Sequence, residues 1–166
     1  VVDAGMTGEP EQDVSRMRPL LAAGVARAYP ELIVGIKVAH YWTWQPYDAD
    51  HRPWDNVDRG VEAGELCGLP VMVDFWPRPE RPYEDLILKK LRPGDIHTHV
   101  FAQQFPIILP DGHVNPALFE AQERGIIFDV GHGAGSFWFR NAVPALQQGF
   151  VPASISTDLH VNSIWQ

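Results

Sequence analysis

The sequence predicts an α/β fold of the TIM-type (β/α)8 barrel class, here incomplete, with about six βα strands and the N-terminal strands missing. Three observations carry this. Short β-branched runs alternate with helix-period stretches along the chain. Titratable residues close successive runs at Lys37, Asp74, His99, Asp129 and Asp158, spaced 37, 25, 30 and 29 positions apart, the length of a βα unit. No G-x-G-x-x-G or G-x-x-x-x-G-K-[ST] turn follows an early strand, as a doubly wound nucleotide-binding sheet would show. A complete barrel takes roughly 250 residues, so these 166 residues, starting on one strand and stopping just past another, read as a single partial barrel domain over 1–166.

Strands are expected at 1–4, 32–38 (LIVGIKV), 70–75 (PVMVDF), 95–100 (DIHTHV), 126–130 (IIFDV) and 154–158 (SISTD). Their near-continuous apolar character suits a parallel sheet whose two faces are covered by crossover helices. Helices are expected at 11–28, 55–67, 82–91, 115–124 and 138–148, each ending near Gly or Pro or before a turn. The stretches 41–54 (YWTWQPYDADHRPW) and 76–82 (WPRPERP) follow strand ends. Both are therefore βα loops on the face where barrel enzymes hold substrate.

Composition narrows the function. A hydrophobic share of 45% with 20% charged residues describes a globular core. Thirteen basic residues against 21 acidic ones, net charge −8, without basic runs, argue against a nucleic-acid surface. No segment approaches the roughly 20 apolar residues of a membrane span, and no signal-peptide pattern opens the chain. The lone Cys67 excludes an internal disulfide and a cysteine-based zinc knuckle, and with it the expected address is cytoplasmic.

The residues that close the strands carry the chemistry. Lys37 sits in an apolar strand, where an unpaired ammonium is costly. It reads as a Schiff-base lysine, a counter-ion to a carboxylate, a lysine carboxylated by carbon dioxide to bridge metals, or a snorkelling structural lysine. His97 and His99 alternate on one strand and so share a face, from which they could ligate one divalent ion such as Zn2+; His97, the deeper, is the better core filler. Asp158, beside His160, suits a general base and acid, or else an N-cap. His132 lies among glycines that let backbone approach a ligand, or in a plain turn. His40 is ambiguous, and His51 and His113 belong to surface loops. Trp42, Trp44 and Trp76 either wall a pocket or pack between loops.

Taken together, GIKV with Lys37, RPGDIHTHVF with His99, FDVGHGAGSF with His132 and SISTDLH with Asp158 resemble the amidohydrolase superfamily, and more narrowly its dihydroorotase-like amidohydrolase/deacetylase metallohydrolases, over about 32–162. The resemblance implies a barrel holding one or two divalent metals, usually Zn2+ with Mn2+ as the alternative, whose bridging hydroxide attacks an amide or ester carbonyl. It implies that Lys37 is the carboxylated bridging lysine, His99 a ligand, Asp158 both ligand and proton shuttle, and His132 a substrate contact, to which His160 and His40 are added. Two departures stand out. The His-x-His pair of the first strand is not in this chain, and Asp74 occupies the place where strand five usually supplies a histidine, either as ligand or as a partner of one.

The function expected is metal-dependent hydrolysis of an amide or ester bond in a small acylated compound. Its partners are that small molecule and the metal, with neither nucleic acid nor membrane, and a homo-oligomer is admitted. The competing readings are a Schiff-base lyase or aldolase using Lys37 without metal, and a non-catalytic barrel fragment.

Overall fold

The structure, a computed structural model, describes residues 9–133 and 135–159. The strand expected at 1–4 and the candidate His160 lie outside them. The chain divides into two compact units, Val1–Pro82 and Tyr83–Gln166.

In the first unit two 3-10 turns, Glu9–Gln12 and Val14–Arg16, precede helix α1 (Pro19–Ala28), strand β1 (Ile36–Val38), helix α2 (Asp55–Cys67) and strand β2 (Val71–Val73). The helix expected over 11–28 thus starts late. The Asp13 carboxylate accepts from the Ser15 amide and hydroxyl, which ends one turn and opens another, and Pro19, lacking an N–H, fits only the first turn of a helix. Strands β1 and β2 are parallel, with Ile36 opposite Val71 and Val38 opposite Val73. Helix α2 is their crossover. Asp55 and Asp58 stand in its first turn, where the helix dipole favours anions, and Gly68 takes the left-handed conformation (φ 71°) that ends it. Its buried face, Val57, Gly60, Ala63 and Gly64, is small enough for close packing on α1 and the strands.

The second unit holds α3 (Tyr83–Asp85), a π turn (Leu86–Lys90), β3 (Ile96–His97), α4 (Pro116–Glu123), β4 (Ile127–Phe128) and α5 (Phe139–Gln147). The single helix expected at 82–91 is therefore a short α segment continued by a π turn, closed by the Leu91 amide on the Leu86 carbonyl, while the Ile87 carbonyl accepts from Arg124 Nη1 at 2.9 Å. Strands β3 and β4 are parallel, Ile96 facing Ile127 and His97 facing Phe128. Helix α4 is capped by the Asn115 side chain on the Ala117 amide, with Pro116 in its first turn. Leu86, Ile87, Leu118, Phe128 and Phe150 fill the core.

The run expected as a strand at 154–158 forms only a single parallel bridge, Ser154 to Asp129. Its carbonyls still accept from Val130, His132 and Gly133 at 2.8 to 3.0 Å, but Gly131 and Gly133 (both φ 50°) and Asp158 (φ 45°) turn the two segments out of strand geometry. Among the described residues no helix is long and apolar enough to cross a membrane.

Candidate active site

In the first unit Lys37 and Asp74 stand on neighbouring strand ends. Lys37 is half-buried between buried Ile36 and Val38, and the Asp74 amide continues the β1–β2 pairing by donating to the Val38 carbonyl at 2.9 Å. His40, on the loop after β1, brings Nε2 to 3.0 Å from Asp74 Oδ1; its side chain is 48% exposed and that of Asp74 only 13%. A sheltered carboxylate thus stands behind a solvent-facing imidazole, an arrangement that orients the ring and favours its charged form. The hydrogen bond to Asp74 raises the His40 pKa; burial opposes this, the charges of Asp74 and Glu11 reinforce it, and Arg81 weakens it.

Glu11 joins this group without any signal in the residue pattern, since it falls where a helix is expected to begin. Burial raises its carboxyl pKa, against the pull of His40 and Lys37 and with the push of Asp74. Gln12 beside it accepts from the Trp42 amide at 2.6 Å and donates to the His40 carbonyl at 3.3 Å, fixing the loop. Trp76 meets the His40 ring edge-on at 6.2 Å, and Trp44 meets Trp76 at 4.8 Å. Trp42 stacks on His51 at 3.5 Å, and His51 also bonds Asp48. Trp42 therefore packs within its own loop, whereas Trp44 is 75% exposed.

In the second unit β3 ends at His97, so His97 and His99 do not share a strand face as expected. His97 is fully buried among the rings of Tyr83, Phe105 and Phe128 and serves the core. His99 has φ 61°, which turns its ring away from the strand direction. Its Nδ1 lies 2.5 Å from the Gly131 carbonyl. A carbonyl only accepts, so Nδ1 carries the hydrogen and Nε2 the lone pair, the division that metal-ligating histidines use. Nε2 lies 3.9 Å from Asp158 Oδ2. That is too long for a hydrogen bond and half an ångström wider than the roughly 3.4 Å that separates two ligands of one tetrahedral Zn2+. Trp42, His99 and Asp158 are the non-glycine residues with positive φ among those described; Trp42 follows β1 and His99 follows β3. Each such conformation costs on the order of 1–3 kcal/mol and collects at functional positions.

Asp129 holds this half of the site together. Only 1% exposed, its carboxylate accepts from Thr98 Oγ1 (2.7 Å), Ser154 Oγ (2.6 Å) and Ser156 Oγ (2.7 Å). Burial pushes its pKa up, but the three hydroxyl donors and nearby His99 outweigh this and hold it below the usual value. A depressed carboxyl pKa contributes stability that is present above the unfolded value, about 3.9, and lost as pH falls through the folded one. Urea midpoints measured against pH should therefore fall for the wild-type protein as acid is added below about pH 4, and Asp129→Asn should flatten that dependence while costing about 1–3 kcal/mol at neutral pH. Equal pH dependences would show that Asp129 is not the buried anion described.

The remaining candidates separate. His132 is exposed, stacks on Phe137 at 5.2 Å and bonds the Gly133 carbonyl through Nδ1. His113 is exposed, as expected of a loop residue. Among the described residues no three His, Cys, Asp or Glu side chains converge on a single ion position; close pairs are His40 with Asp74, His51 with Asp48 and His99 with Asp158.

No family model matches the sequence. A deacetylase of Enterococcus faecalis is 30% identical over 161 residues, covering 91% of this chain and 40% of that protein. A deacetylase of Brucella anthropi is 34% identical over 142 residues, 82% of this chain and 33% of that protein, and one of Agrobacterium fabrum is 37% identical over 113 residues, 65% and 26%. Among solved structures, an adenine deaminase matches with TM-score 0.76 and 26% identity over 90% of this chain, and a dihydroorotase with TM-score 0.68 and 29% identity over 92%; each match takes in 40% of the other chain. The chain thus spans 40% of the length of the E. faecalis relative and less of the other two.

Proposed function

We infer that this chain, part of an amidohydrolase-superfamily (β/α)8 barrel, belongs to a metal-dependent hydrolase of the deacetylase type that cleaves an amide or ester bond of a small acylated compound. The observation that carries the reading is the His99–Asp158 pair: a histidine whose tautomer is fixed by the Gly131 carbonyl, facing a carboxylate at 3.9 Å, both on backbone held at positive φ. The deacetylase relatives support it from the side of sequence.

The ligands we propose are Lys37, as its carbon dioxide adduct, with Asp74, His99 and Asp158. In donor type, nitrogen and carboxylate oxygen, such residues suit a divalent ion such as Zn2+ or Mn2+. His99 presents Nε2, Asp158 an oxygen, and Asp74 a carboxylate that also orients His40. When bound, the metal supplies Lewis-acid polarisation of a carbonyl and lowers the pKa of water. The chain's own residues do the rest. Asp158 Oδ2 takes a proton from the attacking water and returns it to the leaving amine or alkoxide, and His40, His132 and His160 contact the substrate.

Lys37→Ala should abolish turnover and lower bound metal, and small carboxylates such as formate should restore part of both; unchanged turnover would remove Lys37 from the site. Asp74→Asn should lower the metal content per chain measured by elemental analysis. An unchanged content would leave Asp74 acting only through His40.

A further inference from the structure

Arg81 is 1% exposed, yet among the described residues its side chain makes one hydrogen bond, from Nη2 to the Tyr41 carbonyl at 2.6 Å. Among those residues its buried Nε and Nη1 meet no partner. A guanidinium carries five N–H donors and is almost never fully buried unless an anion accompanies it. Around it lie the rings of Phe75, Tyr47 and Tyr41, with centroids 5.2, 5.8 and 5.9 Å from Cζ. Ring faces temper the charge but accept none of the unused N–H groups.

The neighbouring polar groups are donors as well. The Tyr41 hydroxyl is buried and unpartnered, and the Tyr47 hydroxyl, which faces the guanidiniums of Arg81 and Arg78, makes no hydrogen bond of good geometry. Burial raises both phenol pKa values, so both keep their O–H at neutral pH. The acidic side chains nearby are spent elsewhere: Asp48 on His51, Asp55 on the Arg52 amide, Glu80 beside Arg78. A cation and two hydroxyls with unused hydrogens suit a group that only accepts.

We propose that Arg81, Tyr41 and Tyr47 form a closed site for a small monoanion of the carboxylate class. The anion would also tie the turn bearing Arg78 and Arg81 to the loop bearing Trp42 and Trp44, which Arg78 Nη1 already holds through the carbonyls of Trp42 (3.0 Å) and Gln45 (2.6 Å). Its source is either a free anion or the carboxylate of a bound substrate.

The test is independent of turnover and of metal. The protein is titrated with sodium acetate at constant ionic strength, and with acetamide, the neutral molecule of the same shape, following the thermal midpoint. The site predicts a saturable rise with acetate and none with acetamide. The apparent affinity should fall at least tenfold in the Tyr41→Phe/Tyr47→Phe double variant, which keeps the rings around Arg81, and the response should vanish in Arg81→Met. Equal responses to acetate and acetamide, or an acetate response unaltered in the double variant, would overturn the proposal and leave the orphaned donors to internal water. Displacement of acetate by N-acetylglycine but not by N-acetylglycinamide would uphold it with a substrate carboxylate as the source. Acetate binding that N-acetylglycine does not disturb would uphold it with a free anion.

Discussion

Replacing Gly131 by alanine is expected to destabilise the protein by about 3 kcal/mol and to displace His99. The glycine has φ 50°, and a Cβ there would fall on Thr98 Oγ1, 2.6 Å from His99 Nδ1 and 2.9 Å from His99 N. None of these atoms can yield freely. Thr98 Oγ1 donates to buried Asp129, and His99 Nδ1 is bonded to the Gly131 carbonyl itself. Overpacking of this kind costs roughly 1–3 kcal/mol and the left-handed backbone roughly 1–2 kcal/mol more. Gly133 is the internal control. It has the same φ of 50°, but the nearest atom to its added Cβ would be Asp158 Oδ2 at 3.4 Å, ordinary contact. Gly133→Ala should therefore show the backbone cost alone, about 1 kcal/mol. Urea midpoints of the two variants decide the matter: if Gly131→Ala is no worse than Gly133→Ala, the close seat of His99 against Gly131 is wrong.

The second large effect is on turnover. Asp158→Asn is expected to lower kcat by roughly 10²–10⁴, the range in which a positioned proton-transfer group contributes, while leaving the urea midpoint within about 0.5 kcal/mol of wild type. The substitution is a clean one. Asp158 sits at φ 45° and its side chain is 40% exposed; asparagine tolerates the left-handed region as well as aspartate does, so the backbone stays and only the charge and the proton site go. Asp158→Ala would confound the two by adding strain. A variant with wild-type kcat would remove Asp158 from proton transfer whatever its place near His99.

Much of the architecture was legible because period and punctuation agree. Helix α2 was expected at 55–67 and is Asp55–Cys67, set by acidic residues at its start and Gly68 at its end. The helix expected at 115–124 is Pro116–Glu123, set by Asn115 and Pro116. Strand positions were legible but not strand lengths. Strand pairing is confined to two residues each at Ile96–His97 and Ile127–Phe128, because His99 and Gly131 just beyond them take positive φ. The positive φ of His99 and Asp158 has no sequence signature, and it is what separates His99 from the strand face that His97 occupies. Pairwise partners were legible least. Nothing in the pattern of residues links His40 to Asp74 across 34 positions, or Ser154 and Ser156 to Asp129, and the burial that perturbs Glu11 depends on a turn where a helix was expected. The same holds for Arg81, which reads as a charged loop residue in WPRPERP and is nearly inaccessible in the structure.

The proposal that Lys37, Asp74, His99 and Asp158 serve a metal-dependent hydrolase makes bound metal and turnover inseparable. Its most direct test is elemental analysis of the purified protein together with hydrolysis of a panel of N-acetyl amino acids before chelation, after it, and after metal is returned. About one or two equivalents of zinc or manganese are expected, with hydrolysis that chelation abolishes and the metal restores. Hydrolysis that proceeds undiminished in metal-free protein would contradict it.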